Sequence, residues 1–188
     1  MQYHLTGSAK KTLQLAEKAA KAGSQSALGT EHILLGLLQE GSGTAGRILQ
    51  EAGVRADKLR ELMDKLVNAE TGTAQTTGRL EMTPRASFVM DNAAEEAASF
   101  HQEKIGTDHI LLAMIRETDC VATRLLYTMG VNLQKVYLEV LQAMGMDAAS
   151  AREELQSLRS SASENVSATP TLERYSRDLT RMAAAGRL

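Results

Sequence analysis

The sequence predicts an all-α fold: two tandem, pseudo-symmetric four-helix repeats forming one compact domain, followed by a linker and a helix. Three observations carry this. The apolar content of 43% rests on Leu, Ala and Met, with aromatics at 3% and no Trp, a balance that favours helices packed on helices over a sheet. The chain holds only two prolines. It also aligns with itself at an offset of 77 residues: Thr6–Val67 pairs with Thr83–Met144 over 62 positions without a gap, 18 of them identical. Average usage gives roughly one match in fifteen. A period this long exceeds that of a solenoid unit and marks a tandem duplication.

Each repeat reads as four helices. The first starts at Thr6 or Thr83. In "TPRA" Thr83 is the N-cap and Pro84 takes the first helical position, where its missing N–H costs nothing. Leu13, Ala16 and Ala20 recur at helical spacing, and Gly23 is the expected C′ stop. The second helix follows "GTEHILLGLL" from Gly29 or "GTDHILLAMI" from Gly106, with Thr30 and Thr107 as N-caps and Ile33, Leu34, Leu37 and Leu38 inward. A short third helix carries Ile48 and Leu49 and stops at Gly53; the fourth runs from about Ala56 to Leu66.

The expected organisation is a first repeat over 1–67, a polar Gly/Thr-rich connector over 68–81 and a second repeat over 82–146. A further helix, capped by Asp147, is expected over 147–159. A flexible linker, "SSASENVSATP", and the start of another helical segment then fill 160–188.

Composition excludes several function classes. Lys plus Arg is 21 against 23 for Asp plus Glu, a net charge of −2, which argues against a nucleic-acid binder. No stretch is apolar enough to span a membrane, and "MQYHLTGSAKK" lacks the apolar region of a signal peptide. Cys120 is the only cysteine, so no internal disulfide forms. These features fit a cytoplasmic protein. No G-x-x-x-x-G-K-[ST] loop occurs, so no Walker-type ATP site and no catalytic residue is expected.

The duplicated decamers hold the candidate binding residues. A helix start offers free N–H groups and a positive dipole end, which suit an anion. Thr6 and Thr83 add hydroxyls, Arg85 adds charge as a candidate phosphate contact, and Glu31 and Asp108 suit a guanidinium. Taken alone, the same residues read more readily as ordinary caps and first-turn acids than as a binding site. Asp108 is one methylene shorter than Glu31, so guanidinium recognition is expected to be stronger at Glu31. His32 and His109 lack metal-ligand spacing and read as packed or hydrogen-bonded at a helix interface. Cys120 reads as a small packed residue, and Met63, Met90, Met114, Met129 and Met144 as core filler.

"GTEHILLGLL", "GTDHILLAMI", "MTPRA" and the paired "AGV" and "MGV" resemble the N-terminal Clp repeat domain of Clp AAA+ protein unfoldases, most closely the ClpC type. The resemblance runs from about Leu5 to Met144. Leu5 and Met82 stand where the family usually has Phe, and the second acid is Asp. The tail "TPTLERYSRDLTRMAAAGRL" is similar to the segment leading into the first ATPase module of that family. The resemblance implies a domain that docks adaptor proteins and protein substrates, including phosphoarginine-marked ones. Its parent would be a hexameric unfoldase working with the ClpP peptidase. ATP and magnesium belong to the ATPase modules only, and this stretch by itself is expected to be monomeric. Carried over by position, the phosphoarginine sites fall at Thr6 with Glu31 and at Thr83 with Asp108. The alternative is a stand-alone accessory protein without an ATPase module. A hydrolase using Glu31 and His32 fits poorly, since adjacent helical residues point about 100° apart.

Overall fold

The computed structural model describes residues 3–67 and 80–167 of the 188. They divide into two units, Met1–Ala148 and Ala149–Leu188. The first holds both repeats.

The first repeat contains α1 (Gly7–Ala22), β1 (Ala27–Leu28), α2 (Thr30–Glu40), α3 (Thr44–Glu51) and α4 (Ala56–Val67). The second contains β2 (Glu81–Met82), α5 (Pro84–Ser99), α6 (Thr107–Arg116), α7 (Val121–Thr128) and α8 (Leu133–Ala143). The helix starts at 7, 30, 44 and 56 recur at 84, 107, 121 and 133, which keeps the 77-residue offset throughout. The expected connector lies, over 68–79, outside the described residues; its last two positions, Leu80 and Glu81, do not behave as connector. Leu80 is buried and Glu81 opens β2.

The central helix of each repeat is the decamer. In α2, Ile33, Leu34, Leu35, Leu37 and Leu38 are all buried, and in α6 every residue from His109 to Ile115 is. A helix covered all round must sit in the middle of its neighbours. The first helix of each repeat packs on it through small residues, Ala9, Ala16 and Ala20 in α1 and Ala86, Ala93 and Ala97 in α5. Gly36 lets α1 and α2 approach closely: a Cβ there would stand 2.4 Å from Thr12 O. Cys120 is buried, with Sγ 3.0 Å from Thr123 Oγ1. Met63, Met90 and Met114 are core residues, whereas Met129 and Met144 are half-buried.

Three local expectations need correction. Gly23 is not the left-handed residue after α1. It has φ −82°, and Ser24, at φ 53°, occupies C′ of a Schellman turn closed by Gln25 N–H donating to Ala20 O at 3.0 Å. His101, at φ 56°, does the same after α5. Gly53, at φ 82°, does hold that place after α3. Thr30 and Thr107 are not N-caps of their own helices: Gly29 and Gly106 are, and the threonines are the first helical residues. Finally, the helix following the second repeat does not end near Leu158. α9 (Ala148–Ser167) runs through the first part of the expected linker, because 160–167 contains no Gly or Pro to stop it. Residues 168–188 lie outside the described residues.

The two repeats are joined crosswise. β1 pairs in parallel with β2, Leu28 against Met82, and Leu5 forms the matching bridge with Ile105. The displaced threonine hydroxyls cross as well. Thr107 Oγ1 accepts from Ala45 N–H in the first turn of α3 at 3.4 Å, and Thr30 Oγ1 accepts from Ala122 N–H in that of α7 at 3.3 Å. Gly43 and Cys120, the N-caps of α3 and α7, supply no side-chain cap of their own. Each repeat therefore caps the short third helix of the other, an interaction worth about 1 kcal/mol per cap. Gly43 makes room for this, since a Cβ there would meet Thr107 Oγ1 at 2.5 Å.

Candidate functional site

Thr6 and Thr83 are N-caps. Thr6 Oγ1 accepts from Ala9 N–H at 3.3 Å and Thr83 Oγ1 from Ala86 N–H at 3.1 Å. Their backbones place them against the opposite repeat. Thr83 N–H donates to Leu28 O at 2.9 Å, which sets the start of α5 beside Gly29 and Glu31 at the start of α2. Thr6 N–H donates to Ile105 O at 3.0 Å, and Ile105 N–H to His4 O at 2.7 Å, which sets the start of α1 beside Gly106 and Asp108 at the start of α6. The pairing expected from sequence is thus reversed. The structure brings Thr83 to Glu31 and Thr6 to Asp108. Position-by-position transfer within one repeat misses this, because the strand bridges join residues of different repeats.

At each site two helix N-termini lie side by side, so their dipole ends add. Thr6 claims the Ala9 and Lys10 N–H groups through its side chain and carbonyl. That leaves Gly7 and Ser8 as the open first-turn donors of α1. In α5 Pro84 has no N–H, and Arg85 is left as the corresponding donor.

The acids fold back over their own helix starts. A Cβ built on Gly29 would meet Glu31 Oε1 at 2.1 Å, and one on Gly106 would meet Asp108 Oδ1 at 2.1 Å. The carboxylate occupies the space a side chain would take, so a substitution at either glycine would displace the acid from this position. His109 N–H donates to Asp108 Oδ1 at 3.1 Å. Both carboxylates stand 3.2 Å from the Nδ1 of the following histidine. The shorter Asp108 therefore does not fall short of the position reached by Glu31, which removes the length argument for ranking the two. Glu31 is curled to reach it; Asp108 reaches it directly.

The histidines recur with the acids for a structural reason. Gly29 N–H donates to His32 Nδ1 at 3.1 Å, and Gly106 N–H donates to His109 Nδ1 at 2.9 Å. Each imidazole thus serves as the returning half of a capping box, the half a Glu or Gln usually supplies. The neutral ring accepts at Nδ1 from the glycine; a ring protonated there donates to the acid instead. Among the described residues no group of three or more His, Cys, Asp or Glu is placed to hold a metal ion.

Glu31 is buried at 8% exposure. Burial pushes its carboxyl up, and the hydrogen bond and charge of His32, its own helix start and the Thr30 hydroxyl outweigh that, holding it below its ordinary 4.5. For Asp108 burial is again the largest effect, and His109 with the backbone N–H groups brings the net result below 3.8. Both acids stay ionised at neutral pH.

Arg85 is engaged elsewhere. Its guanidinium donates to Glu117 at 2.8 Å and to Asp119 at 3.2 Å. The equivalent acid in the first repeat, Glu40, accepts from Gly43 N–H at 2.7 Å and from the Ser42 hydroxyl. Arg85 serves a salt-bridged corner that ties α5 to the end of α6, and a bound phosphate would compete with two carboxylates for it.

Two repeats of four helices, capped crosswise and presenting paired helix starts, define a duplicated all-helical domain. The family model of the Clp repeat N-terminal domain matches residues 4–129, and the chain belongs to that family. It is 39% identical over 183 residues to the chaperone protein ClpB of Oceanobacillus iheyensis, covering 97% of this chain and 22% of that one. It is 38% identical over 179 residues to the negative regulator of genetic competence ClpC/MecB of Bacillus subtilis, covering 95% and 21%. The chain thus spans about a fifth of the length of these relatives, and the resemblance to the ClpC type extends equally to ClpB. Among solved structures, the N-terminal domain of ClpD from Arabidopsis thaliana superposes with a TM-score of 0.64 at 23% identity, over 75% of this chain and 97% of that one. The N-domain of ClpV in complex with a VipB peptide superposes with a TM-score of 0.57 at 19% identity, over 75% and 86%. These two likenesses establish the fold. Among the described residues no helix is long and apolar enough to cross a membrane.

Proposed function

We propose that this chain is the substrate- and adaptor-recognition domain of a Clp unfoldase that works with the ClpP peptidase, and that it binds phosphoarginine-marked proteins. The observation that supports the reading is the crossed site itself: two helix starts side by side with an ionised carboxylate folded over one of them. Phosphoarginine carries a phosphate and a guanidinium in one side chain. The phosphate suits the open N–H groups of α1 or α5 and the summed dipoles. The guanidinium suits Glu31 or Asp108 through charge-assisted hydrogen bonds. Both acids are held as anions, and each threonine hydroxyl oxygen caps its own helix start.

A solved relative of the same fold holds a peptide, the ClpV N-domain with VipB, in keeping with a peptide-docking role. The test is calorimetric titration of the chain with phosphoarginine, with arginine and inorganic phosphate as separate controls. Binding of phosphoarginine well beyond either control, lost in the Glu31→Ala, Asp108→Ala double variant, is the expected result. Equal binding of phosphate alone would reduce the site to a general anion cradle and overturn the reading.

A further inference from the structure

The 77-residue symmetry is broken at the corner between α5, α6 and α8. In the second repeat the ring of Phe100 packs edge-on against His109, centroids 6.4 Å apart. Beside it the buried Glu96 pairs with Arg116, and Arg116 Nη2 donates to Tyr137 Oη at 3.0 Å. Phe100 and Glu96 are one helical turn apart on α5 and fill the corner between α5, α6 and α8. In the first repeat the matching positions are Gly23 for Phe100, Ala19 for Glu96, Gln39 for Arg116 and Arg60 for Tyr137. The ring and the carboxylate are both missing. In their place is a cavity of about 360 Å³, lined by Ala19, Gly23, His32, Gln39, Arg60 and Met63 among others.

The cavity is chemically suited to the groups that the second repeat holds at this place. His32, Leu35 and Met63 are buried and give it an apolar floor. Lys18 and Arg60 stand at the rim, with Asp64 as the one acid among the lining residues. Neither cation is held in an ion pair among the described residues. Gly23 is not required by the backbone: its φ is −82°, and a Cβ there would meet nothing closer than 3.6 Å. Its absence of a side chain serves the opening and not the turn.

We propose that this cavity docks a partner peptide bearing an aromatic side chain with a carboxylate one helical turn before it, the two groups that the second repeat supplies from its own α5. The ring takes the place of Phe100 over His32, and the carboxylate meets Arg60 and Lys18. The pocket adjoins the Glu31 site through His32, and neither Glu31 nor Thr83 lines it.

The chain's own sequence provides the probe: an acetylated, amidated peptide Glu-Ala-Ala-Ser-Phe, copied from Glu96–Phe100. In NMR titrations of the full chain, chemical-shift changes should cluster at His32, Gln39, Arg60 and Met63. Replacing the peptide's Phe by Ala should weaken binding about tenfold, and its Glu by Gln about threefold. Gly23→Phe plugs the cavity and should weaken binding by at least about tenfold. Ala19→Glu, which hands Arg60 an internal partner, should weaken it about threefold by an independent route. No binding, shifts dispersed over the surface, or unchanged affinity in both variants would overturn the proposal. Loss of phosphoarginine binding in the wild-type chain would instead strike the proposed function and leave this pocket standing.

Discussion

Glu31 and Asp108 show how much of a site one residue pair can encode. Their residue types and positions are legible in the sequence, because an acid returns at the same place of a duplicated helix start. Their partners are not. The hydrogen bond from Thr83 to Leu28 joins residues that no local pattern relates, so the sequence pairs Thr6 with Glu31 when the fold pairs Thr83 with it. Double-mutant cycles on phosphoarginine binding should therefore show coupling of about 0.5–3 kcal/mol for Thr83–Glu31 and Thr6–Asp108, and additivity for the two pairs within a repeat. Coupling within repeats would contradict the crossed geometry. Because both carboxylates stand equally far from their histidines, the single variants Glu31→Ala and Asp108→Ala should lose affinity to within about threefold of each other. A tenfold gap in the same calorimetry would restore the ranking by side-chain length. The depressed carboxyl values carry a pH signature. A group titrating lower in the folded chain than in the unfolded one stabilises the fold above its unfolded value and loses that contribution as pH falls through the folded one. For Glu31 the contribution is whole above its ordinary 4.5 and drains away below it. The Tm of the Glu31→Gln, Asp108→Asn variant should depend less steeply on pH in that acid range than the Tm of the parent chain. Identical slopes would mean that the two acids are no better placed in the fold than out of it.

At the scale of the element, the helices follow their apolar spacing closely, and the stop after α3 follows Gly53, while Ser24 and His101 take the left-handed place after α1 and α5. The ends that misread are those where glycine serves packing. Gly29 and Gly106 make room for carboxylates, and Gly23 opens a cavity. Composition cannot separate these uses from a turn, since glycine satisfies all of them. Gly36 is another packing glycine. Its counterpart in α6 is Ala113, which is fully buried, so the α5–α6 crossing accommodates a methyl group that α1–α2 does not. A Cβ at Gly36 would press on backbone at Thr12 O, which cannot swing aside as a side-chain tip can. Gly36→Ala should destabilise the chain by about 1–3 kcal/mol despite the better helix propensity of Ala. Urea unfolding measures it, and a stabilised variant would show that α1 slides freely on α2.

For the whole molecule, the duplication is plain in the sequence but its architecture is not. Thr30 reads as a cap for its own helix, whereas its hydroxyl caps a helix 92 residues further along, at Ala122. A local signal and a distant one use the same hydroxyl, and only the folded chain decides between them. Because α3 and α7 are each capped from the other repeat, and β1 pairs with β2, a fragment ending at Val67 should lack the cooperative unfolding of the full chain in circular dichroism. A cooperative transition in that fragment would show that the crossed bonds are dispensable. Limited proteolysis should not yield either repeat alone as a stable product.

The crossed caps also bear on how such a chain can go wrong. Half-units that complete each other across an approximate two-fold axis have the geometry of a homodimer whose two subunits have been spliced into one chain. Nothing in Thr107 distinguishes the Ala45 of its own chain from that of another. Fidelity then rests on the tether between Val67 and Leu80, which keeps the correct half at high effective concentration. Cut that tether too short to span, and the surfaces that close the monomer would close a swapped pair just as well.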